Sequence, residues 1–303
     1  MNIQLHEVTK RFGSRVALHA LEHSLPCRGL TVVGGPNGAG KSVLLKILAG
    51  VVAPTSGQLL WDGVRVDRTR LTAYKFRIGY MPQEPAFYEG QSAQASLAYF
   101  ARLKGIPSGL VETRVRQILR IVHLDCLARR PVKHLSEGER ARLALGVALL
   151  NDPDLLLLDE PGSKLDPGQR IELWELLAAI KSTRSVVMAT HLFAGLEGIV
   201  DHVVILEDGR LLYTGSADAL LAEVAPYVWD VRSTLGKEPT WSSPIRVVSH
   251  RRQGSDTTWR LLASTPPCAG ARRAAPALDD AYLWLRWCGR SADVGLTRPT
   301  GEI

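Results

Sequence analysis

Apolar residues recur along this chain with two different periods, and the changes between them outline the architecture. Thr31-Val32-Val33 is a short β-branched run that predicts a buried strand. Leu155 to Leu158 is an unbroken leucine run, which suits a parallel strand covered on both faces. Val186-Val187-Met188-Ala189 reads as another strand, ending at Thr190-His191. Between about residue 84 and residue 134 the spacing becomes helical. Ala93, Leu97, Phe100 and Ala101 fall at i, i+4, i+7 and i+8, and Val111, Val115, Ile118 and Leu119 repeat that spacing, with Val122 extending it. Val203 to Leu206, then Asp208-Gly209, then Leu211 to Tyr213 predict a hairpin. Residues 1–8 predict an edge strand, and Pro54 to Gly57 a turn into the strand Gln58 to Trp61. Gly215-Ser216 caps a short helix with Leu220 and Leu221 on its apolar side.

Beyond about Pro226 the composition shifts. Trp229, Trp241, Trp259, Trp284 and Trp287 all lie there, five of the chain's seven tryptophans. Three β-like stretches, around Val228–Val231, Ile245–Val248 and Thr257–Leu262, precede a helix predicted from Ala277 to Trp287. Residues 226–290 therefore read as a small α+β accessory domain whose tryptophans form its core, since small domains lean on aromatic burial. Residues 291–303 read as a loose tail.

Composition narrows the function classes. A chain of 303 residues can bury a full core. No run approaches the roughly 20 apolar residues that span a bilayer, and the start has no basic segment followed by an apolar one. A cytoplasmic protein is expected. Cys27, Cys126, Cys268 and Cys288 lack metal-ligand spacing and predict reduced thiols, several in apolar surroundings. The net charge of +7 is spread over dispersed arginines without a Lys/Arg block, so no nucleic-acid partner is expected. A modest pull toward an anionic inner leaflet is the secondary expectation.

The candidate chemistry begins at Gly35-Pro36-Asn37-Gly38-Ala39-Gly40-Lys41-Ser42, which fits G-x-x-x-x-G-K-[ST] between a strand and a helix. Its glycines let backbone amides approach phosphates without Cβ clashes. Lys41 supplies a point charge, Ser42 a hydroxyl for Mg²⁺, and the helix from Val43 to Ala49, ended by Gly50, aims its N-terminal dipole at the anion. Asp159 and Glu160 close the leucine run, at the end of a strand where α/β sheets bind ligands. Asp159 is placed to hold the Mg²⁺ shell and Glu160 to act as general base toward the attacking water. Ser136-Glu137-Gly138-Glu139 before a helical run is, read locally, a capping box.

Taken in order, these motifs resemble the ATP-binding cassette (ABC) ATPases over residues 2 to about 222. The resemblance implies a phosphate-loop α/β core with an antiparallel β subdomain and a helical subdomain at about 84–134. The expected division is residues 1–222 for the nucleotide-binding domain, 226–290 for the accessory domain and 291–303 for the tail. Leu135-Ser136-Glu137-Gly138-Glu139 matches the family's signature, usually Leu-Ser-Gly-Gly-Gln, with glutamates at 137 and 139. The resemblance implies that Ser136 and Gly138 contact the γ-phosphate of ATP held by a second subunit. It also makes Gln83 in Ile78–Gln83 a contact to Mg²⁺ and water, Asp166 a crossing point of the dimer interface, and His191 a γ-phosphate switch. Phe12 takes the place of an adenine-stacking ring, its rival reading being a plain core phenylalanine. Lys164 stands where the family has a small residue. The function implied is an ATPase subunit with ATP and Mg²⁺ that powers export by a separate membrane permease. It would act as a dimer of two such chains on the inner face of the cell membrane. The alternatives are a soluble ABC ATPase and a weakly hydrolysing ATP switch or immunity protein.

Overall fold

The computed structural model describes residues 2–234, 240–241 and 244–290. The expected tail at 291–303 lies outside the described residues. The chain divides into two compact units, Met1–Leu211 and Leu212–Ile303.

The first unit opens with β1 (Ile3–Phe12), β2 (Arg15–Leu25), β3 (Gly29–Gly34), α1 (Lys41–Leu48), β4 (Ser56–Trp61), β5 (Val64–Arg65), α2 (Leu71–Phe76) and β6 (Ile78–Met81). It continues with α3 (Ala93–Leu103), α4 (Ser108–Ile121), α5 (Glu137–Leu149), β7 (Leu155–Asp159), α6 (Pro167–Lys181), β8 (Ser185–Ala189) and β9 (His202–Glu207). β10 (Arg210–Ser216), which runs across the division at Leu211, follows through the Asp208-Gly209 turn, where both residues have positive φ (47° and 73°). That pair is the chemistry the tight hairpin requires.

Two sheets result. One is antiparallel, in the order β2-β1-β4-β5, and the other runs β10-β9-β3-β8-β7-β6. β3, β6, β7, β8 and β9 pair in parallel within the second. The leucine run of β7 is buried at every position, as a strand between β6 and β8 with both faces covered must be. Residues 1–8 do not form the edge strand expected of them. β1 is an interior strand, pairing Ile3 with Leu25 on one side and with Trp61 on the other. Ile3, Leu5 and Val8 are buried on either side of a register shift between Leu5 and Val8; the pattern of buried positions along a strand carries no information on how many neighbours it has.

The helical segment packs as its spacing demanded. Ala93, Leu97, Ala101, Val111, Val115, Ile118, Leu119 and Val122 are all buried, and Phe100 is half-buried. α5 lies close on β6 because residue 79 lacks a side chain: a Cβ there would sit 2.4 Å from the Ala148 carbonyl oxygen.

The second unit holds α7 (Ala217–Val224), β11 (Val228–Thr234), β12 (Arg246–Gln253), β13 (Asp256–Leu262), β14 (Arg272–Arg273) and α8 (Leu278–Arg290). Its sheet runs β12-β13-β11-β14, with β14 a short strand that periodicity did not reveal. Trp229 and Trp284 are buried, and Trp229 Nε1 donates to the Ala263 carbonyl at 3.0 Å. Trp241 and Trp259 pack edge to face beside this cluster. The buried carboxylate of Asp280 is held by the Arg260 Nε at 2.9 Å. Cys268 packs against the apolar cluster around Trp229, whereas Cys27 and Cys126 are exposed. Both sit in connecting segments, where apolar neighbours in sequence do not imply burial.

Candidate nucleotide-binding site

The loop from Gly35 to Gly40 joins β3 to α1, and two of its glycines have no substitute. Gly35 has φ 147°, and a Cβ there would meet the Leu206 carbonyl oxygen at 2.2 Å. Gly40 has φ 103°, and a Cβ would meet Leu18 and the Ala17 carbonyl at 2.6 and 2.7 Å. As N-cap of α1, Gly40 offers no side chain to the first-turn amides, whereas Ser92, Ser136, Asp166 and Ser216 cap α3, α5, α6 and α7. The amides of α1 are thus left for an anion.

Behind the loop the charged groups converge. Lys41 is 5% exposed; its Nζ donates to the Gly35 carbonyl at 2.8 Å and lies 3.6 Å from Glu160 Oε1. Burial lowers its pKa, and Glu160 partly offsets that. Ser42 Oγ donates to Asp159 Oδ1 at 2.8 Å. Glu160 accepts from His191, whose Nδ1 lies 3.0 and 2.9 Å from the two carboxylate oxygens. The backbone of Glu160 is left-handed, φ 51°, and its N–H donates to the Ala189 carbonyl of β8 at 2.9 Å. A non-glycine residue held there stores strain of order 1–3 kcal/mol, which surrounding structure must impose.

Asp159 is 2% exposed, and desolvation raises its pKa above the ordinary carboxylate value despite the Ser42 hydrogen bond. A raised folded-state pKa means that ionisation costs stability. The cost is absent below the unfolded pKa of about 3.9 and grows as pH rises through the folded value. Asp159→Asn is therefore expected to raise the thermal midpoint of the nucleotide-free protein at pH 7. The gain should vanish as the pH falls below the ordinary carboxylate range, in thermal melts at both pH values.

A cavity of about 630 Å³ is lined by Phe12, Asn37, Gly38, Lys41, Gln83 and Glu160. Phe12 is 51% exposed, which removes the core-phenylalanine reading. Gln83 is exposed just past β6. Pro36 and Ala39 shape the loop, the Ala39 N–H donating to the Pro36 carbonyl at 3.2 Å. Ser136, Gly138 and Asp166 do not line this cavity. Ser136 Oγ accepts from the Glu139 N–H at 3.2 Å, and Glu139 Oε2 from the Ser136 N–H at 2.8 Å, so glutamate at 139 completes a reciprocal cap. Asp166 caps α6, accepting from the Gln169 N–H at 2.9 Å.

Two neighbours were not anticipated. Arg15 lines the cavity because the β1–β2 pairing sets it opposite Phe12. Tyr80, carried by β6, has its phenol pushed up to about 12 by burial and by the nearby Asp159 carboxylate. Its place in a four-residue strand ending two residues before Gln83 was the available signal. Among the described residues, no group of three or more His, Cys, Asp or Glu side chains is arranged to hold a metal ion, and no helix is long and apolar enough to cross a membrane.

A family described as ABC transporter matches residues 18–163. An uncharacterized ABC transporter ATP-binding protein of Bacillus subtilis, YxlF, is 35% identical over 215 residues, covering 71% of this chain and 68% of the relative. Lantibiotic transport ATP-binding protein SrtF of Streptococcus pyogenes is 32% identical over 219 residues, covering 71% and 92%. This chain belongs to the ABC transporter ATP-binding proteins. Nod factor export ATP-binding protein I of Ralstonia nicotianae aligns with this ABC protein over 297 residues at 31% identity, 96% of the chain and 91% of the relative, so that match extends through the second unit. The solved structure of cbiO1 from Clostridium perfringens, part of the ABC transporter complex cbiONQ, superposes with TM-score 0.67 at 26% identity, covering 73% of this chain and 90% of that one. As an ABC ATPase the protein binds and hydrolyses ATP.

Proposed function

We propose that this chain is the ATPase subunit of an exporter, working as a pair of chains that clasp two ATP molecules and drive a separate membrane permease. The observation that carries the reading is a half-built site. Lys41, Ser42 and Glu160 line the cavity, with Asp159 bonded to Ser42 and His191 to Glu160, while Ser136 and Gly138 do not line it. A second copy related by a two-fold axis would supply the missing donors. The names of two relatives, Nod factor export and lantibiotic transport, support export as the task.

Within the pocket, the α1 amides and Lys41 would hold the β- and γ-phosphates, and Phe12 would stack on the adenine. Ser42 and Asp159, joined at 2.8 Å, offer hard oxygens that fit Mg²⁺. Bound there, the ion would neutralise phosphate charge. Glu160 would take the proton of the attacking water, with His191 holding its carboxylate. Gln83 would pass the state of the site toward the permease. Asp166 would meet the second subunit. Loss of the γ-phosphate removes the partner of Ser136 and Gly138, and the pair loosens.

The test is recovery of the chain from washed membranes. A multi-span protein co-purifying with it in stoichiometric amount is expected, and recovery solely in the supernatant without such a partner would overturn the exporter assignment.

A further inference from the structure

A second cavity, about 160 Å³, lies between the end of β6, the start of α5 and the loop that follows Glu160. Its charged lining is Glu84, Glu137, Glu160, Arg140 and Lys164. Most of these groups are engaged. Arg140 is paired with Glu89 outside the cavity, and Glu160 with Lys41 and His191. The Glu137 side chain makes no ion pair or hydrogen bond among the described residues. Lys164 Nζ lies 3.2 Å from Glu84 Oε1, with both side chains more than half exposed.

Glu137 has a local reason to be there. It occupies the first turn of α5 beside the capped N-terminus, where the helix dipole favours a carboxylate. The same positive end is what the proposed function offers to phosphate, so Glu137 opposes the ligand this helix start would receive. A triphosphate arriving beside an unpaired carboxylate is penalised by Coulomb repulsion unless a cation stands nearby. Lys164 is the lining cation whose ion pair, to Glu84, stays within the cavity, so its loss would leave Glu84 and Glu137 together without it.

We propose that Lys164 is a positioning residue for ATP turnover. It offsets the charge of Glu137 at the cavity and ties the segment carrying Gln83 and Glu84 to the loop carrying Glu160. This rests on the reading that the start of α5 meets nucleotide. It accounts for two unlike residues, 27 positions apart in the chain, through the one cavity that both line.

An exposed charge effect is worth up to about 1 kcal/mol, a factor of roughly five. Lys164→Ala is therefore expected to raise the KM for MgATP about three- to fivefold at low salt, with kcat changed less. Lys164→Arg should stay near wild type. Glu137→Gln combined with Lys164→Ala should return KM toward wild type. The gap between Lys164→Ala and wild type should close at high salt, where a packing defect would persist. A Lys164→Ala enzyme within error of wild type at low salt, or a double variant whose effects simply add, would overturn the proposal. If the unmodified chain turns over ATP and pairs on nucleotide while these variants are neutral, this inference alone falls. If the unmodified chain neither pairs nor hydrolyses ATP, the exporter reading falls with it.

Discussion

Glu160→Gln is expected to cut steady-state ATP turnover by about 100-fold or more, the range in which a positioned general base contributes. ATP binding should survive. The amide keeps the shape of the carboxylate, can still meet His191 Nδ1, and leaves the Lys41 contacts to the Gly35 and Pro36 carbonyls untouched. It also removes a buried negative charge 3.6 Å from Lys41, which favours an incoming triphosphate. The variant should therefore accumulate as an ATP-dependent dimer. Phosphate release, equilibrium nucleotide binding and size exclusion with and without ATP report the three parts separately. Wild-type turnover in this variant would contradict the assignment of the base.

Two chains are expected to complete each site. Lys41→Ala and Ser136→Arg should each be nearly inactive alone, the first for want of phosphate contacts, the second because the α5 start is blocked. Mixed in equal amounts, they should recover activity. If subunits exchange freely, half of the pairs are mixed and each mixed pair has one intact site of two. The recovery should thus approach roughly a quarter of wild type for independent sites. Turnover measured across mixing ratios, peaking at parity, is the expected outcome. A mixture no more active than its parts would mean that each chain builds its site unaided.

What could be read from the chain alone divides along a physical line. The phosphate loop, the leucine run with its terminal carboxylates, and the Ser136 cap are local devices, whose residue types are dictated by the backbone they sit on. Gly35 and Gly40 are required by φ and by oxygen atoms within 3 Å, so their spacing was informative. Pairwise proximity was less legible. That Glu160 joins Lys41 and His191 depends on parallel register between strands from distant segments. The interior position of β1, the place of Arg15 beside the nucleotide cavity, and the shared cavity of Glu137 and Lys164 are likewise products of tertiary assembly. The left-handed backbone of Glu160 had no sequence signal, because glutamate does not favour it.

The reciprocal cap uses only the acceptor side of the Ser136 hydroxyl. A hydroxyl that accepts a backbone N–H still keeps its own hydrogen to give away, so a phosphate oxygen can be greeted without undoing the helix end. Rigidity comes ready-made at that corner, and the entropy lost when two subunits meet must be sought in other parts of the molecule.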